Sequence, residues 1–429
     1  MSHRASIRPE RFRGYSALAG HVIPAELNSL TPATAGVVAC FSSTVSPPIM
    51  HTDRLEEAHT HMQAVILAGG KRTQLYPPAA NVPKPMLPLF DRPVMEHSVR
   101  LLVKHGITDI IVTVSRAAGG IIEHFGDGSR WEARIRYSVE NEPRGTAGGV
   151  KLVQDMIEGD FVVVPGDAVT DFDLTAAVDA HRSASAVASL MLYEVEDPTD
   201  FGLVGHDEHG IITRFVEKPK ASEVFTNTVS TGIYILEPEV LSCIPYAKPY
   251  DFARELFPRM LNNQEPVYGF SLPGYWCDVG DGLRYRNCHV DALRGELKLD
   301  MPAVRIHEGM WVGEGVDVHP SAQLSSPLYV GPGVRVGRNA VLGECTVIGA
   351  ETVVDEDAYI ARSVIGGGSF VGRNARITDC VVGTGYTVMD SRSIYGPSPV
   401  PQEEGRRDAT PDRTPAQTLA QLAPDQRQA

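Results

Sequence analysis

Val330-Gly331-Pro332-Gly333-Val334-Arg335-Val336-Gly337-Arg338-Asn339-Ala340-Val341-Leu342-Gly343-Glu344-Cys345-Thr346-Val347-Ile348 places an apolar residue at every sixth position. The phase extends in both directions. Val312, Val318 and Leu324 precede the stretch, Val354 and Ile360 follow it, and after a one-residue slip Ile365, Val371 and Ile377 resume it. A glycine often comes directly after the apolar position, as at Gly331, Gly337, Gly343 and Gly349. A hexapeptide period means three short strands per triangular coil, with the in-phase residue pointing into the prism. One coil cannot bury its own apolar edge, so successive coils stack into a continuous core. The pattern predicts a C-terminal left-handed parallel β-helix over residues 299–390.

Beyond Ser391 the chain turns to Pro, Gln, Asp and Arg, and residues 391–429 read as a disordered tail. On the other side, residues 62–298 alternate short apolar runs with segments of helical period. Ala64–Leu67, Ile110–Val114, Arg134–Val139 and Phe161–Val164 read as strands, and Asp91–His105 as a helix with Val94, Val99, Leu101 and Leu102 inward. Strands alternating with helices predict right-handed crossovers and a mostly parallel α/β sheet covered on both faces. Continuous rather than alternating apolar runs fit strands buried on both sides. Val187–Phe270 is richer in strands and reads as a second lobe, and Asp281 caps a last helix ending near Arg294.

Residues 1–61 carry no sustained period. Val37-Val38-Ala39-Cys40 looks like a lipoprotein cleavage box, but Glu26, Asn28 and Pro32 interrupt what would be its apolar region, which excludes a signal peptide. The segment is expected to be a disordered extension or a mis-called start, with Met62 just before the first strand. A chain of 429 residues with 43% hydrophobic and 21% charged residues fits a globular protein of two domains. A net charge of −14 argues against a broad surface for nucleic acid or membrane. Six cysteines without paired spacing give neither a disulfide framework nor a zinc site and fit a reducing cytoplasm.

The chemistry concentrates in a few stretches. Gly69-Gly70 follows a buried strand, where backbone N–H groups can approach phosphates closely. Pro83-Lys84-Pro85 presents an ammonium from a stiff segment. Asp167 stands just past the end of the strand Phe161–Val164, where ligands of open α/β sheets bind.

On these residues the chain resembles the nucleotidyltransferases that make nucleotide sugars from a nucleoside triphosphate and a sugar 1-phosphate. The resemblance covers Met62 to about Val388 and is greatest to bacterial mannose-1-phosphate guanylyltransferases, through Gly166–Asp173 and Gly274-Tyr275-Trp276. It implies a Rossmann-like nucleotidyltransferase domain before the β-helix. The family signature Gly-Gly-x-Gly-Thr-Arg-Leu-x-Pro reads here Gly69-Gly70-Lys71-Arg72-Thr73-Gln74-Leu75-Tyr76-Pro77. Gln74 stands at the family's catalytic arginine, and Arg72 at a loop glycine. The resemblance implies catalytic roles for Lys84, Asp167, Asp278 and the position of Gln74. It implies nucleotide contacts from Leu67, Gly69, Gly70, Arg72, Thr73, Glu142 and Gly145, and sugar-phosphate contacts from Gly202, Glu217, Lys218 and Ser230. It also implies Mg²⁺ on Asp167 and Asp278. Glu142 could read guanine through its carboxylate, or be a solvated loop acid.

Two readings follow. In the first, the chain transfers a nucleotidyl group from GTP to mannose 1-phosphate, releasing pyrophosphate. In the second, it is a regulatory homologue that binds sugar nucleotides with little turnover, because glutamine offers phosphate only a neutral dipole where arginine offers a charged fork. An acyltransferase role for the β-helix would need a histidine base, and only His307 and His319 lie near, in no recognisable acceptor loop. Open prism ends and flat faces instead predict a homo-oligomer.

Overall fold

The computed structural model describes residues 62–69, 82–116 and 119–396, together with the backbone of 417–418. The expectations for residues 1–61 and for Gly70, Arg72, Thr73 and Gln74 lie outside the described residues. The first described strand, β1 (Gln63–Ala68), is central to a nine-stranded sheet. After Pro83, a 3₁₀ turn (Lys84–Met86) leads into a small hairpin of β2 (Pro88–Leu89) and β3 (Arg92–Pro93), then α1 (Val94–Lys104). Helix α1 thus begins three residues later than expected, because Phe90 and Asp91 both take positive φ and Pro93 starts the helix. Next come β4 (Asp109–Ser115), α2 (Gly119–Phe125), β5 (Arg134–Glu140), α3 (Gly145–Lys151), β6 (Phe161–Pro165), β7 (Ala168–Thr170) and α4 (Leu174–Ser183).

Strands β6, β1, β4 and β5 lie side by side and parallel. Their residues alternate between two cores: Ala64, Ile66, Ile110, Val112, Val162 and Val164 face α1, α2 and α4, while Val65, Ile111, Phe161 and Val163 face the opposite side. That double burial is why these runs read as continuous apolar stretches.

The strand-rich region does not form a separate sheet. Strands β8 (Ala188–Glu194), β9 (Gly202–His206), β10 (Ile212–Glu217), β11 (Thr228–Leu236) and β12 (Val267–Ser271) extend the same sheet beyond β6, largely antiparallel. The nine-residue β11 pairs with β6, β8 and β9 at once, which fuses the two regions. A π-helical turn (Phe252–Leu256) and α5 (Phe257–Asn262) cover the second face. Strand β13 (Trp276–Asp278) pairs with β7, and α6 (Gly282–Arg294) follows, capped by the Asp281 carboxylate on the Arg284 N–H at 2.9 Å.

The hexapeptide region forms three stacks of short parallel strands, the sides of a β-helix. Val312 lies under Val330 and Val330 under Ile348, eighteen residues per coil. Ile348 then lies under Ile365, so each later coil is one residue shorter, which explains the slip. After a second five-residue step, from Ile377 to Val382, the six-residue phase runs through Val388 to Ile394. Ser393–Tyr395 pairs with Arg376–Thr378, so strands continue past residue 390, where a tail was expected: Ile394 supplies one more inward residue.

One side of the prism differs from the others. Its outward residues Trp311, Tyr329, Val347, Val364 and Val381 stack in register and are apolar. They share a core with Leu87, Leu89, Phe90, Val279, Tyr285, Cys288 and Leu293 of the α/β region. On this side burial at both faces produces consecutive apolar pairs such as Tyr329-Val330 and Val364-Ile365. This flat face is therefore occupied within the chain. The Arg286 guanidinium reinforces it, reaching the Arg362 carbonyl at 2.7 Å and Asp379 at 2.8 Å.

Candidate active site

Several strand ends converge at the edge of the parallel sheet. β1 runs out into Gly69, and the Gly166 N–H donates to the Leu67 carbonyl at 2.9 Å, holding the start of the loop after β6 beside it. Asp167 comes next, immediately before β7. The β7–β13 ribbon pairs Ala168 with Asp278, and the Val279 N–H donates to the Asp167 carbonyl at 3.0 Å. Two carboxylates distant in sequence are thereby brought together. The Lys84 ammonium, on the 3₁₀ turn, lies 3.8 Å from the Asp167 carboxylate.

Both carboxylates lie deep in the cleft, although 32% of the Asp167 side chain and 31% of the Asp278 side chain remain accessible. Burial pushes the Asp278 carboxyl up to about 6; the negative charge of Asp167 adds to this, and Lys84 and Arg284 oppose it. Burial also raises the Asp167 carboxyl, with Lys84 opposing. Arg284 is only a partial counter-charge for Asp278, at 3.8 Å, because it also pairs with Asp200 and Asp281. Among the described residues the pair is therefore short of positive charge. Among the described residues no cluster of three or more His, Cys, Asp or Glu is arranged to hold a metal. Two hard carboxylate oxygens fit a divalent cation only if ligand oxygens complete its shell.

Two cavities adjoin this point. The larger, about 590 Å³, is lined by Leu67, Gly69, Glu140, Gly145 and Asp167 among others. The smaller, about 240 Å³, is lined by Gly202, Glu217, Lys218, Ser230 and Asp278. Thr146, Pro165, Gly232, Tyr234 and Asp251 line both, so the chambers communicate. A third cavity of about 630 Å³, between α1, Trp131 and Lys298, contains none of the expected site residues.

Local backbone geometry explains much of the lining. Gly202 lies opposite Glu217 across the β9–β10 ladder, and a Cβ there would meet the Phe215 ring at 2.7 Å and the Glu217 carboxylate at 2.9 Å. Lys218 takes a positive φ of 48° just before Pro219, an unfavourable conformation for a residue with a Cβ, and its N–H bonds the Phe201 carbonyl at 3.0 Å. Strand β11 breaks register between Ser230 and Tyr234, around Gly232 with φ of 80°, which turns Ser230 and Thr231 toward the smaller chamber.

The structure thus brings together every expected site residue it describes except one. Glu142 lines neither cavity: its side chain is 76% exposed and pairs with Arg144 at 3.4 Å. The acid that this segment places in the larger chamber, beside Asp167 and Asp251, is Glu140, the last residue of β5, which accepts the Arg144 N–H at 3.2 Å. Gly149 leaves room for it, since a Cβ there would sit 2.6 Å from the carboxylate. Thr146, Tyr234, Asp251 and Trp276 also line the chambers, although none was expected as a site residue. The Trp276 indole N–H is buried in the wall of the smaller chamber and has no hydrogen-bond partner among the described residues.

A parallel sheet with a cleft at its strand ends, paired carboxylates and a lysine, joined to a β-helix, defines a class of phosphate-handling transferases. Residues 63–294 match the Nucleotidyl transferase family, and the chain belongs to it. Residues 306–410 match the GMPPB C-terminal domain. The chain is 34% identical over 320 residues to a Synechocystis UTP–glucose-1-phosphate uridylyltransferase, covering 71% of this chain and 82% of that protein. It is 34% identical over 278 residues to the mannose-1-phosphate guanylyltransferase of Mycobacterium tuberculosis, covering 64% and 76%. It is 33% identical over 272 residues to a mannose-1-phosphate guanyltransferase of Debaryomyces hansenii, covering 61% and 73%. Among solved structures, a Bacillus anthracis protein assigned as a glucose-1-phosphate thymidylyltransferase superposes with a TM-score of 0.50 at 25% identity, covering 56% of this chain and 97% of that one.

Proposed function

We propose that this protein transfers a guanylyl group from GTP to mannose 1-phosphate, giving GDP-mannose and pyrophosphate. The observation that carries the proposal is the junction of two chambers at a carboxylate pair with a lysine beside it. The larger chamber takes the nucleotide and the smaller one the sugar phosphate. A phosphate oxygen of mannose 1-phosphate attacks the α-phosphorus, the bond from that phosphorus to the bridging oxygen breaks, and pyrophosphate leaves in line. Asp167 and Asp278 would hold Mg²⁺, which supplies charge neutralisation on the phosphate oxygens. Lys84 adds a fixed positive charge beside Asp167, and Lys218 draws the sugar phosphate into the smaller chamber. Positioning and neutralisation of this kind carry most of such catalysis. Glu140 is the base reader: a carboxylate accepts from both guanine N1–H and its amino group, whereas uracil offers one N–H.

A specific feature favours the alternative of a weakly catalytic regulatory homologue. Gln74 and Arg72 both depart from the family signature, and loss of an arginine on the reacting phosphates costs about 3–4 kcal/mol if uncompensated. The deciding experiment is pyrophosphate release with Mg²⁺ across GTP, ATP, UTP and dTTP against mannose and glucose 1-phosphates, with Gln74→Arg and Arg72→Gly/Gln74→Arg proteins alongside. Turnover of GTP with mannose 1-phosphate by the unaltered chain is expected. Turnover only after the loop is restored would favour the regulatory role, and silence throughout would refute both the substrates and the enzyme.

In the described residues five cysteines are free, and no helix is long and apolar enough to cross a membrane. A cytoplasmic location fits the free thiols, and the prism faces not used within the chain are the surfaces for self-association.

A further inference from the structure

We infer that the β-helix positions the active-site lysine, acting through Asp91. This rests on the role proposed above for Lys84. The 3₁₀ turn bearing Lys84 runs directly into the β2–β3 hairpin, with the Leu87 N–H on the Lys84 carbonyl at 3.0 Å and the Val94 N–H on the Leu87 carbonyl at 2.9 Å. The two residues at the hairpin tip, Phe90 and Asp91, have φ of 51° and 62°. A two-residue turn with both residues at positive φ normally uses Asn-Gly or Asp-Gly. Phe-Asp disfavours it, so something outside the turn must hold the conformation.

The β-helix supplies the hold. One Asp91 carboxylate oxygen accepts the Ala350 N–H at 2.9 Å, and the other accepts the Tyr329 hydroxyl at 3.0 Å. Gly331 makes the approach possible, because a Cβ there would collide with that carboxylate. The Phe90 ring is fully buried, edge-on to Tyr329 at 5.1 Å and to His289 at 4.8 Å. From the other side, the Tyr285 hydroxyl donates to the Pro88 carbonyl, and His97 Nε2 bonds the Leu89 carbonyl at 3.1 Å. The segment after Lys84 is thus gripped between α1, α6 and the coils. Asp91 is a positioning residue.

The test compares Asp91→Ala, Asp91→Asn, Tyr329→Phe and, as a docking control, Arg286→Ala, which removes the other polar clamp on the same interface without touching the hairpin. Each full-length protein is assayed for kcat and KM and for hydrogen exchange at the amides of residues 84–94. Displacing a catalytic group by about 1 Å can cost around a hundredfold in rate. Asp91→Ala is therefore expected to lower kcat by roughly tenfold or more with KM little changed, and to speed exchange in the hairpin. Asp91→Asn keeps an acceptor for Ala350 and a partner for Tyr329, and asparagine tolerates positive φ, so it is expected to restore both readouts. Tyr329→Phe should fall between, and Arg286→Ala should alter stability alone. Unchanged turnover and exchange in Asp91→Ala would overturn the inference. So would equal losses in Arg286→Ala, or no rescue by Asp91→Asn. If the unaltered protein shows no turnover, the proposed activity fails, and the exchange data alone decide whether Asp91 holds the lysine segment.

Discussion

Replacing Asp278 by asparagine should abolish turnover while making the metal-free protein more stable at neutral pH. The carboxyl is held at about 6 in the folded protein against 3.8 when unperturbed. Between those values the folded state binds more protons than the unfolded one, so stability falls as pH rises from about 4 to about 6 and stays lower above. The groups responsible are burial and Asp167, with Asp281 adding to them and Lys84 and Arg284 opposing. A displacement of roughly 2 units is worth ~3 kcal/mol at most. With 31% of the side chain accessible, solvent screening reduces this to on the order of 1–2 kcal/mol. Asparagine is close to isosteric and does not titrate. Urea unfolding of both proteins in EDTA, from pH 4.5 to 8, should therefore show a gap that is smallest at the acid end and close to its full size by pH 6.5. Adding Mg²⁺ at pH 7.5 should raise the unaltered protein's midpoint and leave that of Asp278→Asn nearly unmoved. A variant less stable than its parent at pH 7.5, or a gain that does not change with pH, would show that the carboxylate pair is not a strained charge cluster awaiting a cation.

Three further outcomes follow from the geometry. Glu140→Gln should lower kcat/KM for GTP relative to ATP by about ten- to a hundredfold, the worth of one charge-assisted hydrogen bond, whereas Glu142→Gln should leave the ratio unchanged. Gly202→Ala places a methyl group 2.7 Å from the Phe215 ring and 2.9 Å from the Glu217 carboxylate; KM for the sugar phosphate should rise roughly tenfold while nucleotide binding by calorimetry stays as it was. Inside the prism, Ile348→Ala should cost about 2–5 kcal/mol of unfolding free energy, and Val364→Asp, a charge on the docking face, a similar amount by leaving a buried carboxylate without a partner. The second should also raise hydrogen exchange in α6, which packs on that face.

The sequence by itself determined the parts of this protein that rest on short-range repetition. The six-residue period is a local rule, each residue lying above one a single coil away, so it is legible without any knowledge of tertiary contacts. The continuous apolar runs from Ala64 to Leu67 and from Phe161 to Val164 declare strands buried on both faces, and the Asp281 cap is written within one helical turn. Motif resemblance likewise singled out Lys84, Asp167, Lys218 and Asp278 as candidates, because each sits at a strand end or turn with its own local signature. Tertiary structure alone decided the rest. Whether Glu140 or Glu142 enters the cleft depends on where β5 ends and on the space left by Gly149 in a neighbouring helix. The high proton affinity of Asp278 comes first from burial in the cleft and then from Asp167, which only the β7–β13 ribbon brings near. Asp91 gains its partners only when the apolar side of the prism meets the β2–β3 hairpin. These contacts are set by packing between segments far apart in the chain, and no local pattern of side chains encodes the distances at which charges and cavities meet.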